Sequence, residues 1–125
     1  MEKVTGIGGV FFRAKDPATL KDWYATHLGV GWSDEAPWQQ QQGFTIFEPF
    51  AQDTTYFGRP DQGWMINFRV DDLDAMIAQL EAAQIAVQAR AEWNGPVGRF
   101  ARVHDPEGNP IELWEPANET APEAE

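Results

Sequence analysis

Hydrophobic residues recur at helical spacing in two stretches of the chain. They are Leu20, Trp23, Tyr24 and Leu28 in the first stretch, and Leu73, Met76, Ile77, Leu80 and Ala83 in the second. Asp16 and Pro17 precede the first stretch, Gly29 follows it, and Asp72 precedes the second. An aspartate caps free N–H groups, proline suits the first helical position, and glycine often ends a helix. The pattern therefore predicts two amphipathic helices.

Segments rich in aromatic and β-branched residues predict strands over much of the remaining chain. The longer segments are 5–14, 43–48, 64–70 and 111–114, and the shorter ones are 30–33, 54–57, 85–88 and 99–104. Residues 105–109 have turn chemistry and predict a hairpin between the last two strands. Residues 34–42, with four consecutive glutamines, read as an exposed loop or an irregular strand start.

An internal repeat predicts how these elements are arranged. A shift of 56 residues lays 9–13 over 65–69 and Asp16 over Asp72, and 46–48 resembles 110–112 at a shift of 64. Each half then contains a strand, a helix and three strands. We therefore predict two modules, 1–60 and 61–116, joined in one domain because either half alone is too small to be stable. Residues 117–125 have no large apolar side chain and predict a disordered acidic tail.

Alternation along the predicted strands gives the sheet two different faces. One face is apolar and is expected beneath the helices, while the other mixes polar, charged and aromatic side chains, as small-molecule cavities often do. The candidate ligand-binding residues on this mixed face are Phe11, Arg13, Glu48, Met65, Asn67, Arg69, Glu112 and Trp114. Trp38, in a polar loop, is the best candidate for stacking on a ligand.

The two glutamates of the mixed face have several interpretations. A glutamate at a strand end is often simply solvated, but the repeat relates Glu48 to Glu112 and favours a shared position. They could form ion pairs with Arg13 or Arg69, or one of them could act as a general base. His27, at a helix end, and His104, before a turn, are interpreted as structural residues.

Charge and composition exclude several classes of partner. The net charge is −11, which disfavours nucleic acids and anionic membranes and would attract cationic ligands. The chain has no cysteine, which excludes disulfides, thiolate catalysis and cysteine-based metal sites. No apolar run is long enough to span a membrane, and the N-terminus lacks the apolar region of a signal peptide. We therefore expect a cytoplasmic protein.

The sequence resembles the vicinal oxygen chelate superfamily, which includes glyoxalase I, bleomycin-resistance proteins, fosfomycin-modifying enzymes and extradiol dioxygenases. The resemblance is carried by residues 105–116, DPEGNPIELWEP, and by the opening Asp16-Pro17, Trp23-Tyr24 and Leu28-Gly29. It implies an α+β fold in which two βαβββ modules form a U-shaped mixed sheet around a cavity. It also implies a homodimer in which modules of two chains can share a cavity.

The same resemblance assigns four metal-ligand positions, which fall on Gly9, Glu48, Met65 and Glu112. The two glutamates match, but glycine has no side chain and a thioether is a poor ligand for hard divalent ions. No cofactor is therefore expected, although a weakly bound divalent metal stays open. The favoured function is a metal-free small-molecule binder, with a cationic or aromatic ligand. The alternatives are a metal-dependent lyase, isomerase or dioxygenase, and a metal-free enzyme with Glu48 or Glu112 as base.

Overall fold

The computed structural model describes residues 1–31 and 36–117, which form two helices and one mixed three-stranded sheet. In chain order these elements are α1 (Pro17–Leu28), β1 (Ile66–Arg69), α2 (Leu73–Ala82), β2 (Gly98–His104) and β3 (Pro110–Pro116). A single 3-10 turn, Ala91–Trp93, lies between α2 and β2. The strand order is β1-β3-β2, with β1 parallel and β2 antiparallel to the central β3. The predicted α+β class with a mixed sheet is confirmed.

Both helices begin at the aspartates that the sequence indicates. The Asp16 carboxylate accepts hydrogen bonds from the backbone N–H of Thr19 at 3.1 Å and from its hydroxyl at 2.8 Å. Asp72 accepts one from the Ala75 N–H at 3.0 Å. The first helix ends at Gly29, whose φ of 68° is the left-handed conformation that glycine adopts without strain.

The core lies between the helices and one face of the sheet. It consists of fully buried apolar side chains from α2, β2 and β3, with Leu20 and Tyr24 added by α1: Leu73, Leu80, Ala101, Val103, Ile111 and Leu113. Their alternation along the strands matches the predicted apolar face. The intervening residues therefore project from the opposite face of the sheet, which carries no helix.

The turn between β2 and β3 is fixed by the buried carboxylate of Asp105. One oxygen accepts the N–H groups of Glu107 at 2.8 Å and Asn109 at 3.0 Å. The other accepts the Asn109 amide at 2.8 Å and the Tyr24 hydroxyl at 2.6 Å. Because Tyr24 belongs to α1, this turn joins the first helix to the sheet.

The strands predicted for the first half of the chain are not formed in the described residues. Segments 5–14 and 43–48 contain no regular secondary structure, and 54–57 is mostly turn. Segment 85–88 contributes one bridge, between Gln88 and Arg102, and 30–33 lies partly outside the described residues. A strand needs a neighbour to pair its backbone N–H and C=O groups, and within the described residues segments 5–14, 43–48 and 54–57 have no strand paired with them.

The predicted U-shaped sheet of two modules is consequently not confirmed, because the three strands of the described residues all lie in the second half of the chain. Of the predicted loop at 34–42, residues 36–42 are described and contain no regular secondary structure, while the predicted tail 117–125 lies outside the described residues from position 118. Large apolar side chains of the first half are open to solvent, with exposed fractions of 85% for Val4, 94% for Phe11 and 84% for Phe47. Neither helix in the described ranges is long and apolar enough to cross a membrane.

Candidate functional site

The helix-free face of the sheet gathers polar and aromatic side chains from all three strands. Register places Asn67 and Arg102 opposite Glu112 on either side of the central strand, and Arg69 and Phe100 opposite Trp114. Four predicted site residues are thereby brought together: Asn67, Arg69, Glu112 and Trp114. We call this face, with Tyr56 and Met65 beside it, the open sheet face.

Both carboxylate oxygens of Glu112 accept hydrogen bonds from neighbouring side chains. The Asn67 amide donates to Oε1 at 2.8 Å, and the Tyr56 hydroxyl donates to Oε2. Burial, followed by the hydrogen bond to Glu112, raises the pKa of Tyr56 to about 12. The phenol is therefore a neutral donor at neutral pH, and it orients the carboxylate from one side while Asn67 orients it from the other.

Aromatic rings surround this polar centre. Tyr56 stacks on Phe50, with ring centroids 5.7 Å apart and planes at 16°. Phe100 and Trp114 stack with centroids 6.2 Å apart and planes at 6°. The Trp114 indole N–H donates to the Val97 carbonyl at 2.9 Å, which fixes the ring of this buried residue. Since Trp114 is buried, the exposed Phe50 ring and the half-buried Phe100 ring are the flat surfaces open to a flat ligand.

Arg102 lies beside Glu112 and over the Tyr56 ring. Its guanidinium carbon is 4.5 Å from the centroid of the Tyr56 ring, a cation–π contact, and its Nη2 lies 3.4 Å from the Met65 sulfur. Met65 therefore lies beside the open sheet face, with its sulfur against the Arg102 guanidinium.

Arg69 is directed to the backbone of the first half. Its guanidinium donates to the carbonyl of Gln41 at 2.7 Å and to that of Phe44. Arg69 therefore holds the 41–44 segment against β1 and has no carboxylate partner in the described ranges.

Three predicted site residues do not join the open sheet face. Phe11, Arg13 and Glu48 are exposed, and the Phe11 ring lies over Gly9, where an added Cβ would come within 3.1 Å of it. Within residues 1–31 and 36–117, neither Arg13 nor Glu48 forms a hydrogen bond or ion pair, so the suggested pairing of these residues does not occur there.

Trp38 occupies a different place from the open sheet face. Its ring meets Phe68 edge-on at 6.3 Å, and it lines an open hollow of about 560 Å³ beside the end of α1. Its lining comes from the end of α1 and from the 36–39 segment, and none of the three strands contributes to it. The chemistry is concentrated on the sheet.

Neither histidine forms a hydrogen bond or ion pair with Glu112 in the described residues: His104 ends β2, two residues beyond Arg102, and His27 lies in the last turn of α1. Burial lowers the pKa of the His104 imidazole, Arg102 lowers it further, and Asp105 partly opposes this, so the ring is neutral at neutral pH. The His27 ring packs against Trp23, with ring centroids 5.4 Å apart, in the last turn of α1.

Comparison with known proteins decides the family. The sequence profile of the glyoxalase-like domain matches residues 9–114. The chain belongs to the glyoxalase-like domain family. This confirms the resemblance to the vicinal oxygen chelate superfamily. No match was found among curated proteins.

Solved structures of similar fold include two from Streptomyces sp. CB03234. One is TnmS3, described as an antibiotic binding protein, with 25% identity, a TM-score of 0.64, and coverage of 94% of this chain and 100% of that one. The other, a glyoxalase/bleomycin resistance protein, has 28% identity, a TM-score of 0.51, and coverage of 81% and 92%. A glyoxylase/bleomycin resistance protein/dioxygenase domain from Frankia sp. EAN1pec, at 15% identity, a TM-score of 0.55 and coverage of 92% and 100%, shares the fold.

The metal that many proteins of this superfamily carry does not fit the residues of this glyoxalase-like chain. Glu112 already accepts hydrogen bonds at both oxygens, and the Met65 sulfur faces Arg102. Glu48 is exposed, and Gly9 has no donor. In the described part of the chain, no three His, Asp or Glu side chains are grouped as metal ligands would be. Divalent ions need several oxygen or imidazole donors converging on one point.

Sequence reasoning missed Tyr56, Arg102 and Phe100. Arg102 and Phe100 could have been found by counting outward from the 105–109 turn, because pairing 104 with 110 places 102 opposite 112 and 100 opposite 114. Tyr56 gave no comparable signal. Tyr56 lies in a turn of the glyoxalase-like chain. It is 56 residues away from Glu112 in sequence, and only folding brings the two side chains into contact.

Proposed function

We propose that the protein binds an aromatic small molecule on the open sheet face without a metal. The observation that carries the proposal is the arrangement around Glu112. A carboxylate oriented by Tyr56 and Asn67 lies beside two stacked ring pairs and one guanidinium. Ligand sites commonly combine such apolar surfaces with a few fixed polar groups.

The comparisons support a binding role. The Streptomyces protein TnmS3 is described as antibiotic binding, and it is 25% identical over nearly the whole chain. A flat, multi-ring molecule is the ligand chemistry that the Phe100–Trp114 and Phe50–Tyr56 pairs would accept. The net charge of −11 would favour a cationic ligand at long range, whereas the local groups at the site include Arg69 and Arg102.

We further propose that a second copy of the chain covers the open sheet face. The first half leaves Val4, Phe11, Ile46 and Phe47 exposed in segments whose composition favours strands. Pairing these segments with the equivalent segments of another chain would bury them and complete two βαβββ modules, 1–60 and 61–116, around a shared cavity. A cytoplasmic location stays a prediction.

An enzymatic role for Glu112 is the competing function. Each oxygen of Glu112 already accepts a hydrogen bond, one from the Tyr56 hydroxyl and one from the Asn67 amide, so a substrate proton would have to compete with these donors. Glu48 lacks such partners in the described residues but lies outside the cluster of rings. The structure of the site thus favours retention of a ligand over proton abstraction.

Titration calorimetry with methyl 2-naphthoate, a neutral bicyclic aromatic, tests the proposal on protein treated with a chelator. We expect saturable binding that added Mn²⁺ or Ni²⁺ does not change. Phe100→Ala should weaken binding about fivefold, the value of one stacking contact. Trp93→Ala, which removes a ring from outside the sheet face, should leave binding unchanged. Binding only after metal addition, or chemical conversion of the probe, would refute a metal-free binder.

A further inference from the structure

Arg102 is held in one place by the backbone around it. The backbone N–H of Arg102 donates to the backbone carbonyl of Gln88 at 2.8 Å, and the backbone carbonyl of Arg102 accepts from the backbone N–H of Gln88 at 2.9 Å. Both backbone groups therefore point away from β3. In an antiparallel pair, this makes Arg102 and Glu112 a non-hydrogen-bonded pair, in which opposing side chains approach most closely.

The guanidinium is nevertheless not paired with the carboxylate beside it. The ion pairs of the described residues join Arg59 to Asp61, and Arg99 to Asp74 and Glu115. Arg102 is absent from that set because the oxygens of Glu112 are turned towards Tyr56 and Asn67. The Arg102 guanidinium instead contacts Tyr56, over its ring and towards its hydroxyl, and the weakly accepting Met65 sulfur.

A guanidinium carries five N–H donors in a planar fork that matches an oxyanion. Arg102 is half-buried, so its donors are only partly hydrated, and the tyrosine ring beneath it keeps the fork in a fixed plane. The open sheet face carries two positive charges, those of Arg69 and Arg102, and one negative charge, that of Glu112. His104 adds none, because it is neutral at neutral pH. The local charge is therefore opposite in sign to that of the whole chain.

We propose that Arg102 anchors an anionic oxygen of the ligand, so that the site selects aromatic acids, either carboxylates or phenolates, over aromatic amines. This rests on the proposed function and names its ligand class. The ring of the ligand lies along the aromatic pairs, and its oxygens accept from the Arg102 fork. Tyr56 and Asn67 keep the Glu112 carboxylate from pairing with Arg102. The negative charge of Glu112 repels the anionic oxygen of the ligand from the rest of the open sheet face and so fixes the orientation of the ligand.

Three probes with the same ring system test this selectivity: 2-naphthoate, methyl 2-naphthoate and 2-naphthylmethylammonium. Calorimetry at about 0.15 M salt limits the effect of the distant acidic groups, since the screening length there is about 8 Å. We expect 2-naphthoate to bind at least about tenfold more tightly than the other two, the value of a charge-assisted hydrogen bond. Tightest binding of the ammonium probe would overturn the proposal.

Two variants separate the guanidinium from general charge. Arg102→Gln should weaken 2-naphthoate about tenfold and change methyl 2-naphthoate less than twofold. Arg99→Gln removes the same charge from another half-buried arginine, which pairs with Asp74 of α2 and Glu115 rather than with the open sheet face, and should change neither. Arg102→Lys should recover only part of the affinity, because an ammonium lacks the planar fork.

The outcomes distinguish this proposal from the proposed function. If methyl 2-naphthoate binds and 2-naphthoate binds no better, the site is an aromatic site without an oxyanion anchor. The same conclusion follows if Arg102→Gln weakens both probes equally while circular dichroism shows the variant folded. If none of the three probes binds the original protein, the proposed function is wrong, and the proposed preference for aromatic acids is wrong as well.

Discussion

At the scale of single residues, the two tyrosines of the chain make the same bond in different surroundings. Each donates its hydroxyl to a carboxylate of the second half, Tyr24 to Asp105 and Tyr56 to Glu112. Asp105 is buried with four donors around it and fixes a turn. Glu112 is half-buried on the open sheet face, where solvent or a ligand can replace a lost partner. The first pair is structural, and the second shapes the site.

This difference predicts unequal effects of removing the two hydroxyl groups. Tyr24→Phe should lower the free energy of unfolding by about 1.5–3 kcal/mol, because a buried charged acceptor loses a donor. Tyr56→Phe should cost about 1 kcal/mol or less, since Asn67 and water still reach Glu112 and the ring stays on Phe50. Urea unfolding measures both. Equal losses would contradict the assignment of separate roles.

At the scale of elements, local signals predicted the helices well and the strands only in part. Asp16, Pro17, Gly29 and Asp72 act on backbone groups within a few residues, so the sequence alone placed both helix starts. A strand depends on a partner strand, which is often distant in sequence and in some proteins belongs to another chain. The hairpin around Asp105 was predictable because its two strands are adjacent, whereas 5–14 and 43–48 look like strands but find no partner in the described chain.

The start of β2 depends on one glycine. Gly98 has a φ of 135°, and a Cβ there would meet the Glu115 carbonyl oxygen and come within 2.8 Å of the Trp114 indole nitrogen. We expect Gly98→Ala to lower the free energy of unfolding by at least about 2 kcal/mol, through backbone strain and displacement of Trp114.

Gly95→Ala is the matched control, because Gly95 bridges to Gly98 but an added Cβ there meets nothing within 4 Å. It should change stability by less than about 0.5 kcal/mol. Thermal unfolding followed by near-ultraviolet circular dichroism would also report the Trp114 environment. A Gly98→Ala variant as stable as the control would show that β2 can begin elsewhere.

At the scale of the whole molecule, the two halves of the chain differ in how much secondary structure and core they form in the described residues. The second half has a full core and a closed hairpin, while the first contributes one packed helix and two segments with exposed apolar residues. The same asymmetry limits what sequence could say of the site. Asn67, Arg69, Glu112 and Trp114 follow from alternation within the second half. Phe11, Arg13 and Glu48 depend on first-half strands that the described chain does not form.

The exposed segments predict self-association. We expect sedimentation velocity to show a species of about twice the chain mass of 14.1 kDa. Phe47→Asp, at a residue 84% exposed in the first half, should shift the protein towards monomer because a charge would be buried on pairing. Val97→Asp, at an exposed valine of the second half, should not. A monomer at high concentration, or equal effects of both variants, would contradict the proposed pairing.

The bonding of both phenols to carboxylates has an optical consequence in alkali. Free tyrosine ionises near pH 10, but burial and the hydrogen bonds raise the pKa of Tyr24 strongly and that of Tyr56 to about 12. Tyrosinate absorbance at 295 nm should therefore stay low through pH 10–11 in the folded protein. Because the folded state keeps protons that the unfolded state releases, stability is unaffected below about pH 10 and falls as the pH rises through the raised values. The absorbance at 295 nm should then rise in one step together with unfolding. Tyrosinate absorbance would thus serve as an intrinsic probe of whether the chain is folded.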